Sequence, residues 1–137
     1  MGPIPKPDAI RRNARVGPVQ LPAEGRIGRA PLWPLAVRPT KDESACWAFL
    51  WSLPQAVMWE KQALYRTIAR YVRMLGHAEK PDATAAIHMA VTALEDRIGL
   101  NPKAMRLLMW QVADDEVAQR RAETAGSNAR KRFRAVE

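Results

Sequence analysis

The sequence has little of what disulfide scaffolds, metal centres and most catalytic sites are made from. One cysteine, Cys46, and two histidines, His77 and His88, are all that its 137 residues hold. A single cysteine excludes an intrachain disulfide and points to a reducing compartment; placed inside an apolar run, Cys46 reads as a buried structural thiol. The histidines are separated by ten residues and Cys46 lies far upstream, which forms no zinc spacing. A G-x-x-x-x-G-K-S/T phosphate loop is missing, as is any grouping of histidine with carboxylates of the nuclease kind. Asp114, Asp115 and Glu116 are consecutive, so on a helix they point in different directions and read as surface charge or a partner contact. Without a stretch of about 18 uncharged apolar residues there is no membrane span, and residues 1–30 lack the apolar core of a signal peptide. A soluble, intracellular chain with no catalytic residue, no metal and no cofactor is expected.

Strand signals are also scarce. No segment alternates apolar and polar residues for long, and no period of 20 to 50 residues repeats, so an all-α fold is expected. Proline, by contrast, is plentiful and uneven: eight of the 11 precede Thr40. Met1 to Pro39 therefore reads as a basic, extended or disordered arm, with Pro and Gly interrupting each short apolar run.

Charge follows the same division. Residues 1–41 carry +6, residues 42–118 carry −2 and residues 119–137 carry +4, within a total of +8. A nearly neutral body between two cationic ends suits a folded module with arms for a polyanion, because clustered Lys and Arg displace condensed counterions from phosphates. Simple solubility, or an acidic protein partner, is the alternative.

Four helices are expected over residues 40–122. Thr40 and Glu43 form a T-x-x-E capping box before a first helix at about 41–52. Ser52 and Gln55, with Pro54 tolerated in the first turn, open a second at about 53–75; its stripe is Val57, Leu64, Ile68, Tyr71, Val72 and Leu75, and Gly76 is its stop. Asp82 caps a third, about 82–98, whose face is Ala83, Ile87, Ala90, Val91, Leu94 and Ile98, with Gly99 ending it. Asn101 and Pro102 suit the N-cap and first turn of a fourth, fading near Ala122, with Met105, Leu108, Met109 and Val112 inward. Residues 123–137, containing the N-A-R-K-R-F-R stretch, read as a basic flexible tail.

Three groups of side chains stand out as candidate sites. The run from Ala45 to Trp51 is apolar on every side, more than a lone small domain readily buries, so Trp47, Phe49, Leu50, Trp51 and Trp59 are candidates for a homo-oligomer interface; a buried core helix is the alternative. Lys6, Arg11, Arg12, Arg15, Arg26 and Arg29 make the arm a cationic strip suited to DNA phosphates. Arg66, Arg70 and Arg73 share one face of the second helix and form a secondary DNA-binding set, against the plainer reading of a solvated face. The third and fourth helices imitate a helix-turn-helix, which would place Lys103 and Arg106 near DNA. Arg130, Lys131, Arg132 and Arg134 in the tail are candidates for a partner or further DNA.

Taken in order, K-P-D-A-I-R-R-N near the start, P-L-W-P-L at 31–35, the Trp-rich helix, W-E-K-Q-A-L-Y-R-T-I-A-R-Y at 59–71 and L-E-D-R-I-G-L-N-P-K-A-M-R-L-L at 94–108 resemble the small subunits of DNA-packaging terminases from actinobacterial phages. The resemblance spans roughly residues 6–112. It implies a non-enzymatic protein in the cytoplasm of an infected bacterium that binds viral double-stranded DNA, assembles as a homo-oligomeric ring and regulates the large terminase subunit, which holds the ATPase and nuclease. Two alternatives stay open: a small helix-turn-helix-like transcriptional regulator and a virion head-completion protein.

Overall fold

The computed structural model describes residues 17–114, with residues 120, 123–128 and 131. Within this part the chain is mainly helical: β1 (Val19–Leu21), α1 (Lys41–Leu50), α2 (Ala56–Lys61), α3 (Tyr65–Ala78), α4 (Ala85–Ile98), α5 (Pro102–Leu107) and β2 (Trp110–Val112). The two strands correct the all-α expectation. They pair in parallel, Val19 beside Trp110 and Leu21 beside Val112, so the segment before the helices is clasped to the segment after them. Three residues per strand are too few to show in an alternation pattern.

Helix starts obey local chemistry. The Thr40 hydroxyl accepts from the Glu43 amide at 3.2 Å, and Asn101 Oδ1 accepts from the Ala104 amide at 2.8 Å, each satisfying a first-turn donor. At α4 the cap is Thr84, which accepts from the Ile87 amide, and not Asp82. Ser52 caps nothing: its hydroxyl donates back to the Phe49 carbonyl.

Helix ends depart further from the sequence expectation. The single helix expected at 53–75 is two, because α2 closes in a Schellman turn at Ala63, φ +54°, with Leu64 N–H reaching the Trp59 carbonyl and Ala63 N–H the Glu60 carbonyl. α5 also stops at a left-handed residue, Met109, φ +59°, whose N–H donates to the Arg106 carbonyl, instead of running to Ala122. Neither stop carries glycine, so neither is visible in the sequence. Gly76, expected as a stop, lies inside α3. Residues 123–128, expected as flexible tail, are helical and exposed. Gly99 does end α4, at φ +79°, and a Cβ there would come within 2.5 Å of the Trp110 ring.

Aromatic rings form the centre of the core. Trp33, Trp47, Trp51 and Trp59 follow one another at centroid separations of 5.1, 5.4 and 5.8 Å, and Tyr65 stacks on Trp51 at 5.4 Å. Trp59 is wholly buried, and its indole N–H donates to the Ile98 carbonyl at 2.7 Å, tying α2 to the end of α4. Trp47 donates to the Pro31 carbonyl at 2.7 Å. Ile68 and Val72 of α3, Val91 and Ile98 of α4, Leu21 of β1 and Trp110 of β2 complete the core.

These rings overturn the oligomer-interface reading of four residues. Trp47, Leu50, Trp51 and Trp59 are buried inside one chain, because the segment from Leu21 to Pro39 lies over α1 and supplies the missing cover. Phe49 alone of that group is exposed, at 63%. The same packing corrects the reading of residues 17–39 as an unpacked arm; residues 1–16 lie outside the described part.

Two tryptophan substitutions should separate hydrogen bonding from packing. Trp59→Phe leaves the Ile98 carbonyl without its donor, whereas the buried Trp51 indole N–H has no acceptor among the described residues, so Trp51→Phe removes an unsatisfied group. Urea unfolding should show Trp59→Phe to be the more destabilising by about 1–3 kcal/mol. Gly99→Ala should also lower the midpoint, since it adds backbone strain to a clash with Trp110.

Candidate functional site

α3 is built with two unlike sides. Ile68, Tyr71 and Val72 turn inward, which leaves Arg66, Arg70, Arg73 and His77 at steps of four, three and four residues along the outer side. α4 returns along α3, bringing Tyr71 to Glu95 and Arg70 to the neighbourhood of Arg97. Between the two helices lies an open groove of about 420 Å³. Arg70, Arg73, His77 and Arg97 rim it, and Met74, Ala90, Ala93 and Leu94 form its floor.

Not every cation predicted for DNA is available to it. Arg73 is held by the fold: its Nε donates to Glu43 at 3.3 Å, its Nη2 to the carbonyls of Val37 and Arg38, and its guanidinium lies 5.2 Å from the Trp33 ring centroid. Arg26 is likewise committed. It grips the Glu60 carboxylate through two nitrogens at 2.9 and 3.0 Å, donates to the Arg29 carbonyl and covers the Trp51 ring. The guanidinium hydrogen bond holds the Glu60 carboxyl below its ordinary range. Both residues are therefore corrected from DNA contacts to positioning groups that fasten residues 26–38 over the tryptophans.

Arg66, Arg70, Arg97, Lys103 and Arg106 are exposed and form no ion pair among the described residues. Arg29 is exposed too. Lys103 and Arg106 sit on α5, whose six residues make a short candidate reader helix. Lys6, Arg11, Arg12 and Arg15 lie outside the described part, as do Arg130, Arg132 and Arg134; Lys131 is helical and exposed. Sequence spacing located the α3 stripe but missed Arg97 and His77 as its neighbours. Arg97 falls on a different helix, and only the return of α4 along α3 brings it to the groove.

Elsewhere the surface is chemically mixed. A second cavity of about 320 Å³, between α1 and the end of α3, is lined by Asp42, Glu43, Glu79, Lys80 and Cys46, so opposite charges meet there. Cys46 is half-buried, not fully buried as expected, and burial raises its thiol pKa. Among the described residues no three metal-ligating side chains cluster, and no helix is long and apolar enough to cross a membrane. No family model, curated protein or solved structure matches the chain.

Tyr71 supplies a pH test of the α3–α4 contact. Its phenol is buried and donates to Glu95 Oε1 at 2.9 Å; burial first, then that bond and the carboxylate charge, push its pKa up. The folded state thus keeps a proton that the unfolded chain releases near about pH 10. Its contribution is whole below that pH and is lost as pH rises above it. Tyr71→Phe should cost about 0.5–1.5 kcal/mol at neutral pH. It should also flatten the fall in stability above about pH 10, as read by urea unfolding.

Proposed function

We propose that this chain is a non-enzymatic DNA-binding protein, the small subunit of a phage DNA-packaging terminase. The observation that carries the DNA reading is the pair Arg66 and Arg70. Both are exposed on one side of α3 without a carboxylate partner among the described residues, on a body that continues from the basic residues Lys6, Arg11, Arg12 and Arg15. Cations left unpaired on a surface are available to phosphates, and a protein that neutralises several of them gains affinity through counterion release. The likeness of the 94–108 segment to terminase small subunits supplies the specific identity.

Assembly as a homo-oligomeric ring and control of the large subunit, in the cytoplasm of an infected bacterium, belong to the same proposal. With the tryptophans enclosed, the self-contact moves to Phe49 and its neighbours Ala45 and Ala48, which share the exposed side of α1. Many copies in one particle would multiply weak phosphate contacts. The regulator alternative depends on α5 as the reader and hence on Lys103 and Arg106.

Fluorescence anisotropy with a labelled duplex tests the reading. Binding should weaken with salt, and Arg66→Ala with Arg70→Ala should reduce the slope of log affinity against log salt by about 0.9 per lost contact. Removal of residues 1–16 should lower affinity further, while replacing Lys103 and Arg106 with Ala should have the smaller effect. Indifference to duplex DNA at low ionic strength sinks the proposal. A native mass measurement reads the assembly: a closed ring agrees with it, and a dimer returns the regulator to first place.

A further inference from the structure

The α3–α4 groove has a feature that phosphate binding does not call for. Its rim is cationic, with Arg70 and Arg97 near one end, and no carboxylate among the described residues lines it. Its floor, however, is apolar, formed by Met74, Ala93 and Leu94 with small side chains where a second backbone could come close. Met89 lies one turn before Ala93 on the same stripe of α4 and is 73% exposed, extending the apolar strip beyond the groove. A sugar-phosphate backbone would satisfy the arginines and leave that floor wet. A ligand using both features needs an apolar stripe flanked by negative charge.

The geometry points to a docking site for a short acidic amphipathic helix of a protein partner. Apolar side chains of that helix enter over Met74, Ala93 and Leu94, and flanking Asp or Glu residues meet Arg70 and Arg97 in charge-assisted hydrogen bonds. Methionine suits such a floor because its unbranched side chain adapts to the shape of the knob it receives. The groove is lined from Arg70 to His77 on α3 and from Ala90 to Arg97 on α4, so it accommodates about two turns of a partner helix, roughly 12 Å. Duplex binding by the chain is not needed for this inference.

Designed peptides of about fourteen residues provide the probe: a Leu/Ala stripe flanked by Glu, the same peptide with Lys for Glu, and one with Ser replacing the stripe. Anisotropy with the full chain should show the Glu peptide binding about tenfold or more tighter than either control. Ala93→Trp, which fills the floor, and Arg97→Glu, which reverses the rim, should each weaken it by about tenfold or more. Circular dichroism establishes that both variants are folded, and the labelled duplex serves as a second ligand for each. Equal binding of the three peptides, or none, overturns the inference. So does a loss of duplex binding in Ala93→Trp with peptide binding unchanged, which would make the groove a track for phosphates.

Discussion

The buried bond from the Trp59 indole to the Ile98 carbonyl is the constraint on which the rest of the fold depends. It fixes the short helix α2 against the end of α4, and it requires the chain to turn sharply after α2 so that α3 can start in a new direction. The left-handed residue Ala63 makes that turn. A non-glycine residue there costs about 1–2 kcal/mol, tolerable where a buried ring and two capping hydrogen bonds hold it in place. Around Trp59 the other rings are arranged in sequence, and the segment before α1 is drawn over them by the arginines Arg26 and Arg73.

Those two arginines show why charge alone is a poor guide to a binding surface. Both belong to sequence groups that suit phosphate, yet both lie over an indole and bind a carboxylate, because the planar guanidinium can do both at once. Their work is internal. Arg66, Arg70 and Arg97 differ in having no carboxylate within reach among the described residues, and exposure without a partner is what makes a cation available to an external ligand. The packing that consumes two arginines thus delimits the surface left for function.

Two helix starts, at Thr40 and Asn101, were legible because they rest on local hydrogen bonds in which a side-chain oxygen meets an amide three residues on. One stop was legible for a similar reason: Gly99 is the residue type that adopts a left-handed backbone without strain. Ala63 and Met109 adopt it only because tertiary contacts compel them, so the second helix read as one and the fourth as too long. The candidate site divides along the same line. Arg66 and Arg70 lie one turn apart on a single helix, and periodicity finds them; Arg97 joins them from another helix, which no spacing rule connects.

Composition and periodicity were enough to define a mainly helical body, its caps at Thr40 and Asn101 and the arginine stripe of α3, since each depends on residues within a few positions of one another. Whether the tryptophans faced inward or toward another copy, which arginines were spent on the fold, and where an apolar floor met a cationic rim depended on residues far apart in the chain. Contacts such as Val19 with Trp110 or Arg73 with Glu43 come from how the segments pack, and local preference carries no information about them.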